Sequence, residues 1–214
     1  MSMKTNTDYW EYILKNLPNS YHKWFEEEKK YLQKIITPNA SVLEVGCGDG
    51  RSILDMLPVT KNVIGIDHDD KAITDAKDHF SGYPTIKIFK ADATKLPFEN
   101  NEFDFVVCMT TFANFADKKF IVLAEMKRVL KNSGKIIVSV FSEDALEERI
   151  KVYKASGITI KTIENGKVIF DESVGDNISE QFSKEQLENI FLRADLKIED
   201  ITKVNIAYLC TLTK

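Results

Sequence analysis

The run Glu44-Val45-Gly46-Cys47-Gly48-Asp49-Gly50-Arg51 sets three glycines at alternate positions directly after a short apolar stretch. A glycine-rich turn between strand and helix lets a ligand approach the backbone, and amides at a helix start are ready donors. Two details narrow the ligand. The dinucleotide fingerprint G-x-G-x-x-G, counted from Gly46 and Gly48, needs its third glycine at 51, which is Arg51; the glycine stands at Gly50. Glu44, two residues before the turn, would repel a pyrophosphate and favour a ligand carrying ammonium and sulfonium charges. No Gly-Lys-Ser/Thr follows, so a Walker A loop is excluded.

Further candidates stand at the ends of later apolar runs. Asp67 closes Gly65-Ile66-Asp67, nineteen residues after Gly48, where an acid can accept both hydroxyls of a ribose. Asp92 could accept from an adenine amino group, and the amide of Ala93 could donate to a ring nitrogen. Met109 ends the run Phe103–Met109, and Thr111 and Asn114 follow it. Each candidate has a plainer reading beside it. Glu44 could be a buried structural acid satisfied by backbone amides. Asp67 or Asp69 could cap the next helix, and Asp92 could form a turn. Asp67-His68-Asp69-Asp70 is not expected to hold a metal, because adjacent residues at a strand end point in different directions. Cys47 and Cys108 read as packing residues, with Cys47 meeting the ligand through its backbone. His22 and His79 read as surface residues.

The elements that must position these groups alternate. Residues 41–45, 62–66, 85–90, 103–109 and 135–141 read as short Val/Ile-rich strands; 50–58, 69–80 and 117–131 read as helices between them. Strands apolar on both parities, separated by helices, argue for right-handed βαβ units and an open, doubly wound parallel sheet. Before them, 8–17 and 20–36 read as helices broken at Pro18, with Asn19 or Ser20 as cap. Their aromatics Tyr9, Trp10, Tyr12, Tyr21, Trp24 and Phe25 read mainly as packing. After the alternation come a helix at 143–156 and a hairpin turning at Asn165-Gly166. A helix at 183–194 follows, with Ser183 and Gln186 as a capping box, and then strands at 196–203 and 205–213.

Glu44-Val45-Gly46-Cys47-Gly48-Asp49-Gly50, Asp67, Asp92-Ala93, Phe103-Asp104-Phe105-Val106-Val107 and Glu125–Lys135 together resemble the motifs of class I S-adenosylmethionine-dependent methyltransferases of the small-molecule type. The resemblance covers about 41–141 well and 183–214 at the level of layout. It implies a Rossmann-like seven-stranded α/β sheet of order 3-2-1-4-5-7-6, the seventh strand antiparallel. It implies an N-terminal helical lid over 1–40, and a methyltransferase domain over 41–214 with an insertion at 142–182. S-adenosylmethionine is the implied cofactor, with S-adenosylhomocysteine as product and in-line displacement as the reaction. The cofactor-binding set is Glu44, Gly46, Cys47, Gly48, Gly50, Asp67, His68, Asp92, Ala93 and Met109. His68 stands where the family often has an apolar or aromatic residue against the adenine. Tyr21, Thr111 and Asn114 fall on the acceptor side; no catalytic base is identified.

Composition bounds the partners. The 214 residues carry a formal net charge of −4, with 43% hydrophobic and 29% charged residues. An acidic chain gains no general attraction to nucleic acid or anionic membrane, so neither is expected as a partner. Three cysteines without metal spacing, and an N-terminus without an apolar signal core, favour the cytoplasm. Three rivals stay open: an NAD(P)-dependent oxidoreductase, a non-catalytic binding or interaction module of the same fold, and a methyltransferase acting on protein or RNA.

Overall fold

The computed structural model describes residues 17–171 and 178–214. Apart from Leu17, the helix expected over 8–17 lies outside the described residues, as do Tyr9, Trp10 and Tyr12. The chain then runs through α1 (Asn19–Ile35), β1 (Val42–Val45), α2 (Arg51–Met56), β2 (Val63–Asp67), α3 (Asp70–His79), β3 (Lys87–Lys90) and β4 (Phe103–Met109). Two 3-10 turns, Thr111–Asn114 and Ala116–Lys118, lead into α4 (Lys119–Val129) and β5 (Leu130–Phe141). The insertion holds α5 (Leu146–Ala155), β6 (Ile160–Glu164), β7 (Lys167–Phe170) and β8 (Ile178–Ser179). The chain closes with α6 (Lys184–Arg193), β9 (Lys197–Val204) and β10 (Ala207–Thr213).

The main sheet has the order β3-β2-β1-β4-β5-β10-β9. Strands β1 to β5 pair in parallel, and β10 is antiparallel to both β5 and β9. Counting β9 and β10 as the sixth and seventh strands of this sheet, the order is 3-2-1-4-5-7-6, as the resemblance implied. Strands β6, β7 and β8 make a separate small sheet. Its hairpin turns through Asn165 at φ 49° and Gly166 at φ 79°, the two positive values that a type I′ turn requires.

Burial follows the period of two. Leu43, Val45, Val106 and Cys108 face one hydrophobic cluster, while Val42, Phe105 and Val107 face the other. The N-terminal segment feeds both: Trp24 packs in the first and Leu32 in the second, each with no exposed surface. Burying side chains of this kind contributes about 1.5–3 kcal/mol apiece, so α1 is docked on the sheet by its own apolar stripe. Tyr31 adds a polar anchor, its hydroxyl 2.8 Å from Asp200 Oδ2 on β9 and 2.7 Å from Thr211 Oγ1 on β10.

Local chemistry departs from expectation in three places. Pro18, not Asn19 or Ser20, occupies the cap position of α1, and no side chain caps that helix. Ser20 Oγ instead donates to Glu148 Oε2 at 2.7 Å, tying α1 to α5. Strand β5 starts at Leu130, five residues early, because Leu130 pairs with Phe103 before a register shift. Gly134 makes that possible: a Cβ there would stand 2.6 Å from the Asp104 carbonyl. His79 is half-buried rather than a surface residue, with Nδ1 3.0 Å from the Asp49 carbonyl. The box at α6 forms as expected, Ser183 Oγ accepting from Gln186 N and Gln186 Oε1 from Ser183 N. Among the described residues no helix is long and apolar enough to cross a membrane.

Candidate functional site

A cleft of about 530 Å³ opens at the carboxyl ends of the central strands, where open α/β sheets place ligands. Of the residues singled out from sequence it gathers Gly46, Cys47, Gly48, Asp67, His68 and Met109 on one side, with Tyr21, Thr111 and Asn114. Glu44, Gly50, Asp92 and Ala93 are not among its lining. Glu44 and Gly50 are buried on the β1–α2 turn behind it. Asp92 is exposed and accepts from the amide and hydroxyl of Thr94, which together hold its carboxyl below the usual range.

Gly46 and Gly48 shape the turn for opposite reasons. Gly46, at φ 75°, lies against Thr111: a Cβ would meet Thr111 Cγ2 at 2.3 Å. Thr111 Oγ1 donates to the Gly46 carbonyl at 2.8 Å, which locks the β1 turn to the segment after β4. Gly48, at φ 55°, has nothing within 4 Å of where its Cβ would stand, so its missing side chain leaves the cleft open.

Four amides of the turn are committed within the protein. Gly46 N and Cys47 N both donate to the Ile66 carbonyl, Gly50 N to the Cys47 carbonyl, and Gly48 N to Asp67 Oδ2 at 2.9 Å. Asp67 Oδ1 accepts from Asp69 N at 3.0 Å. The helix-capping role falls to Asp69, whose carboxylate accepts from Ala72 N at 2.7 Å. Asp67 is therefore braced by two backbone amides and still faces the cleft. A carboxylate offers about four lone-pair sites, so capacity for two more donors remains.

Beneath the turn lies a buried charge cluster. Glu44 has no exposed surface; Ser52 Oγ donates to its Oε1 at 2.5 Å and Oε2 has no partner among the described residues. Burial pushes its pKa up to about 8, with the Ser52 bond and the Arg51 charge opposing. Glu28 from α1 is also fully buried and raised by burial. Arg51 donates to Glu28 Oε2 at 2.6 Å, and its guanidinium lies 4.1 Å over the Phe25 ring. The residue that breaks the dinucleotide pattern thus ties α1 to the start of α2. A buried acid with a raised pKa keeps its proton in the fold after the unfolded chain has lost it. Stability therefore falls as pH rises from about 4.5 to about 8. A Glu44→Gln protein is expected to show a flatter decline of the urea midpoint between pH 5 and 8 than the wild type; an identical slope would remove Glu44 as a source.

The cleft has two chemical halves. Among the described residues its carboxylates, Asp49, Asp67 and Asp69, come from the ends of β1 and β2 and the segments just after them. The lining drawn from α1, β5 and the insertion is aromatic, with Trp24 and Phe25 from α1, Phe141 at the end of β5, Tyr153 from α5 and Phe170 from β7. Between them Thr110 stands at φ 67°, a left-handed conformation costing about 1–3 kcal/mol outside glycine. Its amide bond to the Ser139 carbonyl, at 2.9 Å, helps hold it. The sequence gives no sign of Glu28 or Tyr153 in this region, and none that Arg51 there pairs with Glu28.

A sheet of this order with a glycine-rich turn after its first strand defines the Rossmann-like methyltransferase fold. The family profile described as a methyltransferase domain matches residues 43–138. A demethylmenaquinone methyltransferase from Staphylococcus aureus is 26% identical over 156 residues, covering 67% of this chain and 64% of that protein. The chain thus spans less than two thirds of the length of the curated relatives it matches. A crystal structure of a Pyrococcus horikoshii OT3 protein is 26% identical, with TM-score 0.71 and 92% of each chain covered. The fold is shared with Burkholderia thailandensis 1,6-didemethyltoxoflavin-N1-methyltransferase, crystallised with 1,6-didemethyltoxoflavin and S-adenosylhomocysteine. That protein is 16% identical, with TM-score 0.69 and 89% of this chain and 78% of that one covered. By its strand order and by these matches the chain is similar to class I S-adenosylmethionine-dependent methyltransferases.

Proposed function

We propose that the protein transfers a methyl group from S-adenosylmethionine to a small-molecule acceptor. Residues 41–214 form the methyltransferase domain, residues 1–40 a cover, and 142–182 an insertion that walls the acceptor side. One observation carries the reading: the turn side of the cleft presents Asp49, Asp67 and Asp69, its Arg51 is tied to Glu28 and Asp55, and the amides of Gly46, Cys47, Gly48 and Gly50 are spent inside the fold. That set of acceptors suits a cationic ligand with ribose hydroxyls and not a dinucleotide. The names of the relatives, which include demethylmenaquinone and 1,6-didemethyltoxoflavin, support a small acceptor. Buried free thiols and the acidic charge fit a cytoplasmic enzyme.

In this reading Asp67 takes the ribose hydroxyls, and Gly46, Cys47 and Gly48 admit the amino-acid portion. His68 packs against the adenine, with Asp92 and Ala93 at the ring edge. Glu44 and Gly50 support the turn from behind, and Met109 lines the floor. When bound, the cofactor supplies a methyl group on a positively charged sulfur, open to a single displacement that releases S-adenosylhomocysteine. Tyr21, Thr111 and Asn114 orient the acceptor, and the aromatic wall excludes water, so positioning carries the rate. The test is acceptor-dependent release of S-adenosylhomocysteine across a panel of small hydroxyaromatic and heteroaromatic compounds. Turnover is expected; tight cofactor binding with no turnover on any acceptor would return the protein to the binding-module reading. Gly48→Ala should still fold: its Cβ enters open space, and the left-handed backbone alone costs about 1–2 kcal/mol, which lowers the thermal midpoint by several degrees. It should bind S-adenosylhomocysteine at least tenfold more weakly by calorimetry, and wild-type affinity would detach Gly48 from the site.

A further inference from the structure

The aromatic half of the cleft is backed by a cation that methyl transfer as described does not use. Arg149, on α5, has no exposed surface. Its N–H groups all meet neutral acceptors. Nη1 donates to the Gly166 carbonyl at 3.0 Å and Gln181 Oε1 at 2.8 Å. Nη2 donates to the Ser179 carbonyl at 2.6 Å and Ser179 Oγ at 3.0 Å, and Nε to the Tyr153 hydroxyl at 3.4 Å. The guanidinium stands 4.8 Å from the centroid of Phe141. Among the described residues Arg149 forms no ion pair within 4.0 Å. Buried charges are ordinarily paired, since an uncompensated one is costly. The neighbouring buried acid of the insertion obeys that rule: Glu180 holds both Lys119 at 2.7 Å and Lys167 at 3.0 Å.

A second observation sits on the same wall. Tyr21 lines the cleft at 5% exposure, and its hydroxyl has no hydrogen-bond partner among the described residues. Burial keeps that phenol protonated far above its ordinary range, so it remains a donor. The charged groups around it are few. From α5 come Arg149, Tyr153 and Glu148, the last engaged by Ser20 Oγ and by Lys151 at 2.6 Å. The carboxylates that line the cleft, Asp49, Asp67 and Asp69, and the imidazole of His68 belong to the opposite half.

We propose that this half of the cleft takes its acceptor as an anion: an aromatic ring bearing an ionised oxygen, held directly by the Tyr21 hydroxyl and stabilised by the buried charge of Arg149 behind Phe141 and Tyr153. The assignment rests on the methyltransferase reading of the cleft. Phe25, Phe141 and Phe170 offer ring faces and edges for a flat ligand, Tyr21 a buried donor with no partner among the described residues, and Arg149 the compensating charge. Arg149 is a positioning residue, since all its donors are engaged. Among the described residues an ammonium acceptor would find no carboxylate lining this wall.

The experiment uses the full chain saturated with S-adenosylhomocysteine and three probes: 4-nitrophenol, its neutral methyl ether 4-nitroanisole, and benzylamine. Binding is followed by calorimetry and, for nitrophenol, by the absorbance of its phenolate across pH. Nitrophenol is expected to bind as phenolate, with its apparent pKa lowered by about one unit, equivalent to a tenfold preference for the anion. Benzylamine should bind most weakly. Tyr21→Phe should lose that preference while leaving 4-nitroanisole affinity and the thermal midpoint unchanged. Arg149→Met should lose it as well, and Arg149→Lys should restore part of it. The proposal is overturned if the nitrophenol pKa is unmoved or raised on binding, if benzylamine binds as well as the phenolate, or if neither nitro compound binds. Failure of S-adenosylhomocysteine itself to bind is a separate outcome: it removes the methyltransferase reading beneath the proposal, and the proposal with it.

Discussion

A Gly46→Ala protein is expected to lose about 3 kcal/mol or more of unfolding free energy, a large part of the 5–15 kcal/mol typical of a domain. The left-handed backbone at φ 75° costs a residue with a Cβ roughly 1–2 kcal/mol. The added methyl would also stand 2.3 Å from Thr111 Cγ2 and 2.6 Å from its Oγ1, an overpacking worth about 1–3 kcal/mol more. Thr111 has little room to yield. Its hydroxyl is bonded to the Gly46 carbonyl, and it opens a 3-10 turn directly after the left-handed Thr110. Urea denaturation checks the value, with Gly82→Ala as control: Gly82 is exposed with nothing within 4 Å, so a change within about 0.5 kcal/mol is expected. Equal stabilities for the two variants would mean that the β1 turn and the β4 segment are not locked as described.

Asp67→Ala carries the second large effect, this time on binding. The substitution removes an acceptor that faces the cleft and, at the same time, the brace on Gly48 N and Asp69 N. Loss of a hydrogen bond to a charged group is worth about 1.5–3 kcal/mol, so S-adenosylhomocysteine should bind roughly ten- to a hundredfold more weakly. Asp67→Asn, which keeps one acceptor oxygen, should fall between. A variant with reduced stability but unchanged affinity would leave Asp67 as a brace of the turn and nothing more.

The framework was legible because its signals are local. The Val/Ile-rich runs, the spacing of Gly46, Gly48 and Gly50, the Asn165-Gly166 turn and the Ser183 capping box each declare themselves within a few residues, and each was found where expected. What escaped depends on partners distant in sequence. Ser20 looked like a helix cap and instead bonds Glu148, 128 positions away. Glu28 stands in the run Glu26-Glu27-Glu28-Lys29-Lys30, which reads as a solvated face. Yet the buried stripe of α1 is Tyr21, Trp24, Glu28 and Leu32, so helical phase alone placed Glu28 among the apolar positions. Arg149 is the buried residue of a helix with charges on several faces, and its acceptors come from the hairpin and β8. Nothing within α5 announces that. The two halves of the cleft likewise emerge only when strand ends and insertion meet.

The central claim is that the turn side of the cleft is built for a cationic sulfur nucleoside. Calorimetric titration of the purified protein with S-adenosylmethionine, S-adenosylhomocysteine and NAD tests it most directly. The account predicts one site per chain for each sulfur compound and no heat with NAD. Binding of NAD with no response to either sulfur compound would contradict it.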